Sequence, residues 1–235
     1  MKILAMDTSS KALSVAITDD ETLLAEETLN IKKNHSIELM PTISRLMDQV
    51  SLKPADLNRI AVASGPGSYT GLRIAVTTAK TLAYTLGIDL VGVSSLAAIA
   101  RNAKNYQGLI VPILDARRRN VYAGGYQWQS NELNLVFKEA HMSFFDLLAK
   151  VGDEPAYFTG EIEVFRQELD LLPNVTLEKN LKDCLPSAYQ IALLGMGYQP
   201  QDIFSFVPEY LKKVEAEENW LKTHEEIDGL VEKFN

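Results

Sequence analysis

Ser64-Gly65-Pro66-Gly67-Ser68-Tyr69-Thr70-Gly71-Leu72-Arg73-Ile74 joins two segments of different periodicity. Before it, residues 60–63 (Ile-Ala-Val-Ala) form an apolar run short enough for a buried strand; after it, residues 75–86 carry the apolar spacing of a helix. Three glycines and a proline in seven residues make a turn that crowds backbone N–H groups at a helix start. Such a turn either holds an anion or packs tightly against its neighbours. It is not a P-loop, because five residues separate Gly65 from Gly71 and Leu72-Arg73 stands where lysine and a hydroxyl are needed. Nor is it a hydrolase elbow, since Pro66 and Thr70 flank Ser68 where glycines are required.

Upstream, residues 3–6 read as a buried strand ending at the polar turn Asp7-Thr8-Ser9-Ser10. Residues 13–18 and 22–29, joined at Asp19-Asp20, extend it as an antiparallel meander. A helix over residues 36–50 follows, with Asn34 or Ser36 as N-cap and Glu38 in its first turn. Leu39, Ile43, Leu46 and Val50 form its apolar stripe, with Met40 and Met47 beside them. The helix after the glycine loop, residues 69–86, offers Leu72, Ala75, Ala79, Leu82 and Leu86, and its alanines allow close helix approach. A strand at residues 90–93 and a helix capped by Ser94 or Ser95 complete the order β-β-β-α-β-α-β-α, that of a ribonuclease H-like lobe.

The pattern then restarts. Residues 109–114 form an apolar strand ending at Asp115-Ala116-Arg117-Arg118, and strands at 121–128 and 133–138 follow, with a bulge expected at Gly124-Gly125. A helix from Ser143 to residue 151, a strand at 157–160, a helical stretch at 164–169, a strand at 175–177 and a helix starting at Pro186 complete the second unit. The expected class is α/β, with two ribonuclease H-like lobes built of mixed sheets flanked by helices. Their bounds are 1–105, carrying the glycine loop and pairing helices, and 106–212; an acidic, helical segment follows at 213–235.

The chain has 235 residues, 46% apolar and 23% charged, enough for a sizeable core. A net charge of −8 argues against direct nucleic-acid binding, which needs clustered Lys and Arg. Residues 209–235 hold eight acids against four lysines, half of that net charge. Arg117-Arg118-Arg119, in a strand-like run, would point to alternating faces and reads as a solvated edge. Cys184 is alone, so neither an internal disulfide nor a cysteine-based zinc site is available. No apolar run approaches eighteen residues and Asp7 interrupts the first one, so a cytoplasmic protein without membrane attachment is expected. His35, His141 and His224 lack ligand spacing, and each reads as a surface or capping residue.

Four stretches resemble the TsaB (YeaZ) family: residues 4–9 (Leu-Ala-Met-Asp-Thr-Ser), the glycine loop 64–73, residues 114–118 with Val121-Tyr122, and Pro208-Glu209-Tyr210-Leu211. The resemblance spans nearly the whole chain, and the glycine loop is its most specific part. It implies a fold of the actin, sugar kinase and Hsp70 (ASKHA) type, in which two aspartate turns face a nucleotide cleft. It also implies a partner subunit of the bacterial complex that places threonylcarbamoyl on the adenosine beside the tRNA anticodon. Its expected associates are a TsaD-like metal-dependent transferase and a TsaE-like ATPase, with a homodimer when alone and tRNA contacted only through the complex. In the TsaD cousin two metal-binding histidines occupy positions that here match Ser95 and Ile99, which cannot ligate metal in their place.

The reading that follows is an accessory subunit with no catalytic residues, cofactor or metal of its own. The expected partner interface is Leu39, Met40, Ile43, Leu46, Met47, Val50, Tyr69, Leu72, Arg73, Ala75, Val76, Ala79 and Leu82, and a charge at Ile43 or Ala79 is expected to break pairing. Pattern alone also allows both stripes to be ordinary core. A vestigial nucleotide cleft is expected at Asp7, Thr8, Ser9, Asp115 and Arg117. The alternative reading is an ATP-binding kinase or ATPase using Asp7, Thr8 and Asp115. A glycoprotease-like peptidase is the least supported, lacking a metal pair, a serine elbow and an activated cysteine.

Overall fold

The computed structural model describes residues 1–31 and 34–212. The expected acidic helix at 213–235 lies outside the described residues.

In the first half, β1 (Lys2–Asp7), β2 (Leu13–Asp19) and β3 (Thr22–Leu29) form the meander, followed by α1 (His35–Gln49), β4 (Arg59–Gly65), α2 (Tyr69–Leu86), β5 (Asp89–Ser94) and α3 (Ser95–Arg101). The second half runs β6 (Leu109–Asp115), β7 (Asn120–Gln129), β8 (Glu132–Ser143), α4 (Phe144–Val151), β9 (Ala156–Gly160), α5 (Arg166–Leu169), β10 (Val175–Leu177) and α6 (Ala188–Met196). The sheets are ordered β3-β2-β1-β4-β5 and β10-β9-β6-β7-β8. Counted from its own first strand, each sheet has the same topology. Two strands joined by antiparallel pairing lie on one side of that strand, and two joined by parallel pairing lie on the other.

β1 shows why this central strand reads as wholly apolar. Leu4 and Met6 point into a core shared with α1 and α2, whereas Ile3 and Ala5 point to the opposite face, against Ala188, Ile191 and Ala192 of α6. The helix ends follow local chemistry: Asn34, Ser68, Ser94, Ser143 and Ser187 accept first-turn N–H groups of α1, α2, α3, α4 and α6.

The two halves exchange helices. The expected division at 105/106 falls between α3 and β6, yet Leu96, Ile99 and Ala100 of α3 pack with Ile110, Leu114, Tyr126 and Trp128 of the second sheet. In return α6, placed by sequence in the second lobe, covers the first sheet, and Phe206 enters the first core. The short, Gly- and Ala-containing α6 allows this, because residue 195 lies where a Cβ would be 2.9 Å from Val91 and 3.0 Å from Ala61.

Two further differences have local causes. β8 is much longer than expected and carries polar residues on its exposed edge. Arg117, Arg118 and Arg119 do not continue a strand: all three have left-handed φ values of 68°, 52° and 62°, forming a turn closed by Asn120 N–H to Arg117 O at 3.0 Å. Arg119 is held there by Glu168 at 2.7 Å and by the faces of Phe144 and Phe165. The bulge expected at Gly124-Gly125 is present as a register shift in the β7–β8 ladder.

Arg59 fastens α6 to the first sheet. Its buried guanidinium donates to the carbonyls of Gly195, Met196 and Tyr198 at 2.8, 3.1 and 2.9 Å and to Asp89 at 2.8 Å, satisfying the open C-terminal end of α6. Arg59→Met, which keeps the bulk and strands these acceptors, is expected to cost about 3 kcal/mol. A denaturant titration checks this; a loss below about 0.5 kcal/mol would show that water replaces the guanidinium freely.

Candidate functional site

The turn after each first strand has the same construction. Asp7 Oδ1 accepts the N–H of Ser9 at 2.6 Å, and Asp115 Oδ1 accepts the N–H of Arg117 at 2.8 Å. Between the two turns lies a cleft of about 560 Å³, bordered by Ser9, Ser10, Lys11, His35, Gly67 to Thr70, Asp115, Arg117, Tyr122, Glu161 and Lys212.

Of the expected cleft residues, Ser9, Asp115 and Arg117 border this space, whereas Asp7 and Thr8 are fully buried beneath it. The glycine loop is what covers them. Thr8 donates its hydroxyl to Gly71 O at 2.7 Å, and Ser68 N–H donates to Ser9 O at 2.6 Å. A Cβ at position 67 would lie 2.3 Å from Ser9 O, and one at position 71 would lie 1.9 Å from Thr8 O. Glycine is needed at both positions for a backbone-to-backbone contact. Of the two roles open to this loop, the geometry is that of a tight packing turn: the N–H groups of Ser68 and Gly71 are committed to Ser9 O and Ser68 Oγ.

Asp7 Oδ2 is buried with no hydrogen-bond partner. Burial raises the pKa of this carboxyl, while hydrogen bonds from Ser9 and the nearby His35 oppose the rise. A magnesium nucleotide gripped by both aspartates does not fit this arrangement, since only Asp115 borders the cleft. The N–H of Asp115 is taken by Glu161 at 2.8 Å, a carboxyl that burial also raises. Lys11, His35, Arg117 and Lys212 stand opposite these acids, so the cleft is charged and mixed in sign.

Ser95 and Ile99, the positions matching the cousin's metal histidines, are buried in α3. Among the described residues no three His, Cys, Asp or Glu side chains converge as a metal site. A residue that sequence reading missed lies nearby. Glu139 of β8 accepts the hydroxyls of Tyr126 and, at 2.5 Å, of Ser94 at the cap of α3, bonding the second sheet to the first. Burial raises this carboxyl as well. An isolated acid in an edge strand carries no periodic signal that would single it out.

The helix-pair face differs from expectation in which side is exposed. Leu39, Ile43, Leu46, Met47, Leu72, Ala75, Val76 and Ala79 are buried against the chain's own sheet, and Val50 and Leu82 pack half-buried at its margin. A charge at Ile43 or Ala79 would therefore break the core before it tested pairing. The exposed members of the expected set are Met40, Tyr69 and Arg73. They border a groove of about 490 Å³ between α1 and α2, with Ser36, Leu39, Thr70, Ile74, Thr77 and Thr78. Met40 is 47% exposed, Tyr69 41% and the adjacent Ile37 66%, so apolar surface remains after the core is filled. Arg73 lies over the Tyr69 ring at 4.6 Å, and Tyr210 stacks on Tyr69 with centroids 4.7 Å apart. Ile37, Ile74 and Thr77 were legible as the opposite sides of the same helical wheels, but the buried stripes outweighed them.

Asp7→Asn is expected to stabilise the chain at neutral pH, because it removes a buried carboxyl whose ionised form burial disfavours and whose Oδ2 has no partner. With the folded pKa above the unfolded one, the native state binds the extra proton, so wild-type stability rises as pH falls through the raised value toward 3.8. The advantage of Asp7→Asn should shrink over the same window. Melting temperatures of both proteins across that range check the sign, and a gap that widens toward acid would refute it.

Comparison with known proteins places this geometry. The family model described as TsaD, tRNA N6-adenosine threonylcarbamoyltransferase, matches residues 22–220. The "tRNA threonylcarbamoyladenosine biosynthesis protein TsaB" of Bacillus subtilis is 39% identical over 227 residues, covering 95% of this chain and 99% of that protein. The protein of the same name from Escherichia coli is 34% identical over 146 residues, 59% of this chain and 63% of that protein. Among solved structures, YeaZ from Pseudomonas aeruginosa superposes with a TM-score of 0.78 at 28% identity, covering 89% of this chain and 99% of that one.

Proposed function

The chain belongs to the TsaB (YeaZ) family, and we propose that in tRNA threonylcarbamoyladenosine biosynthesis it serves as a non-catalytic subunit that pairs with a TsaD-like metal-dependent transferase. The observation that carries this reading is the groove between α1 and α2, where Ile37, Met40, Tyr69 and Ile74 leave apolar surface beside an arginine after the internal core is complete. A partner that presents two helices of similar length can lay side chains along it. α1 and α2 are about 22 and 27 Å long, and a four-helix contact of that length reaches the roughly 1,600 Å² of a standard stable interface.

In this reading the partner supplies the metal, the reacting groups and the tRNA contacts, which suits a chain of net charge −8. A TsaE-like ATPase joins the pair, and the same face forms a homodimer when the chain is alone. Among the described residues no helix is long and apolar enough to cross a membrane, and we place the protein in the cytoplasm, with the tRNA it helps to modify. The alternative, an ATP-binding kinase or ATPase, draws on Asp115 and the paired turns. The burial of Asp7 and Thr8 under the glycine loop weighs against it.

Met40→Asp combined with Thr77→Arg places charge on exposed positions and should leave the melting transition within about 1 kcal/mol of wild type. Affinity for the TsaD-like protein should fall by about 100-fold or more, and transfer of threonylcarbamoyl to tRNA by the mixture should fall with it. Calorimetry and the transfer assay read both. A folded double variant that binds with wild-type affinity removes this face from the proposal, and nucleotide turnover by the chain alone, lost in Asp115→Ala, would favour the ATPase.

A further inference from the structure

Among the described residues Arg73 is the one charged side chain that borders the α1–α2 groove. It is exposed, its guanidinium lies over the Tyr69 ring at 4.6 Å, and among the described residues it has no ion pair. No acid stands near enough on either wall to supply one. α2 contains no Asp or Glu over its 18 residues, and the two acids of α1, Glu38 and Asp48, do not border the groove. The other polar side chains there are those of Ser36, Tyr69, Thr70, Thr77 and Thr78, all neutral.

The cation is also held in position. Tyr210 stacks on Tyr69 with centroids 4.7 Å apart and 30° between the ring planes. The crossing that carries Tyr210 is itself fastened: Glu209 N–H donates to Ser64 O at 2.7 Å, and a Cβ at position 65 would lie 2.4 Å from Glu209 O. A ring braced in this way has little freedom to turn, so the guanidinium on its face is oriented before any partner arrives.

We propose that Arg73 is the specificity-determining residue of the pairing face, selecting a partner whose facing helices present a carboxylate over a second copy of this chain. This rests on the pairing face proposed above. A partner that covers the groove strips water from a guanidinium with five N–H donors, a loss that only an acceptor of opposite charge offsets well. A carboxylate matches the planar fork with two parallel hydrogen bonds. A second copy brings none, because in a two-fold pair the same patch meets itself. Arg73 would then be buried against a groove whose described residues include no acid. One side chain thus favours the foreign partner and penalises self-association.

The test measures two dissociation constants of the full chain, that of its homodimer by sedimentation and that of its complex with the TsaD-like protein by calorimetry. Arg73→Met keeps much of the bulk at an exposed site and should leave the melting transition in place. The complex with the TsaD-like protein should weaken by about tenfold or more, while the homodimer holds or tightens. A smaller loss, or a homodimer that weakens alongside, overturns the inference. Arg73→Glu should bind worse still and be rescued when one acid on the partner's facing helices is reversed to arginine. Rescue by none of them overturns the carboxylate and leaves backbone carbonyls as the acceptors, the arrangement that Arg59 makes with α6. Met40→Asp with Thr77→Arg separates this inference from the reading beneath it. If that double variant binds as wild type does, the pairing face fails; if it loses binding while Arg73→Met does not, the face stands and the role of Arg73 falls.

Discussion

Two backbone carbonyls, those of Thr8 and Ser9, set the geometry around which the first half of the molecule is built. They meet positions 71 and 67 of the glycine loop so closely that no side chain fits between. Ser68 N–H and the Thr8 hydroxyl close the contact with hydrogen bonds of 2.6 and 2.7 Å. The contact joins the end of β1 to the start of α2, placing that helix against the central strand at a defined height. Because α1 also begins at this edge, with His35 Nε2 within 2.9 Å of Ser10 O, the two helices start side by side. Their groove is a consequence of that shared origin.

The same contact explains why the two halves repeat in topology but not in chemistry. Each first strand ends in an aspartate that caps its own turn. In the first half a glycine loop closes over the carboxyl and leaves one oxygen without a partner. In the second half Ala116 and a left-handed run of arginines stand in that place, and Asp115 stays at the cleft surface. Of two matched turns, one is thus sealed and the other is lined with cation. Apolar surface left over on α1 and α2 borders a separate groove that meets the cleft at Tyr69 and Thr70.

Much of this was legible in the sequence because it depends on local chemistry. Ile3 to Met6 had to be a strand buried on both faces, the cap serines had to start helices, and the restart at residue 109 matched the opening strand by strand. Three features depended on distant partners and had no local sign. Arg117 to Arg119 fit a strand by their position before Val121, but Glu168 and two phenylalanines hold Arg119 in a turn. Helix α6 follows the second sheet in sequence, yet its small residues and the Arg59 guanidinium favour the first. The apolar stripes of α1 and α2 were visible, but periodicity cannot say whether a stripe faces a sheet or a partner; only the area of sheet to be covered decides that.

That last point bears on function. The 18-residue helix α2 buries only some of its apolar residues, and the structure divides them unequally. Its alanines and Leu72 go inward, where small side chains let the helix lie close to β4. Its larger groups, Tyr69, Ile74 and Tyr84, are left outside or at the margin. Close internal packing by small residues therefore leaves the bulky ones on the outer surface. Tyr210 and Phe204 already cover part of it in cis through ring contacts. What they leave uncovered, from Met40 across to Thr77, is continuous with the covered part, so an occupant of the groove presses on the same tyrosine that holds the Pro208 to Leu211 crossing. Glu209 in that crossing is bonded to Ser64 at the end of β4, beside the glycine loop, so binding at the helices has a short physical route to the cleft, through side chains and backbone already in contact.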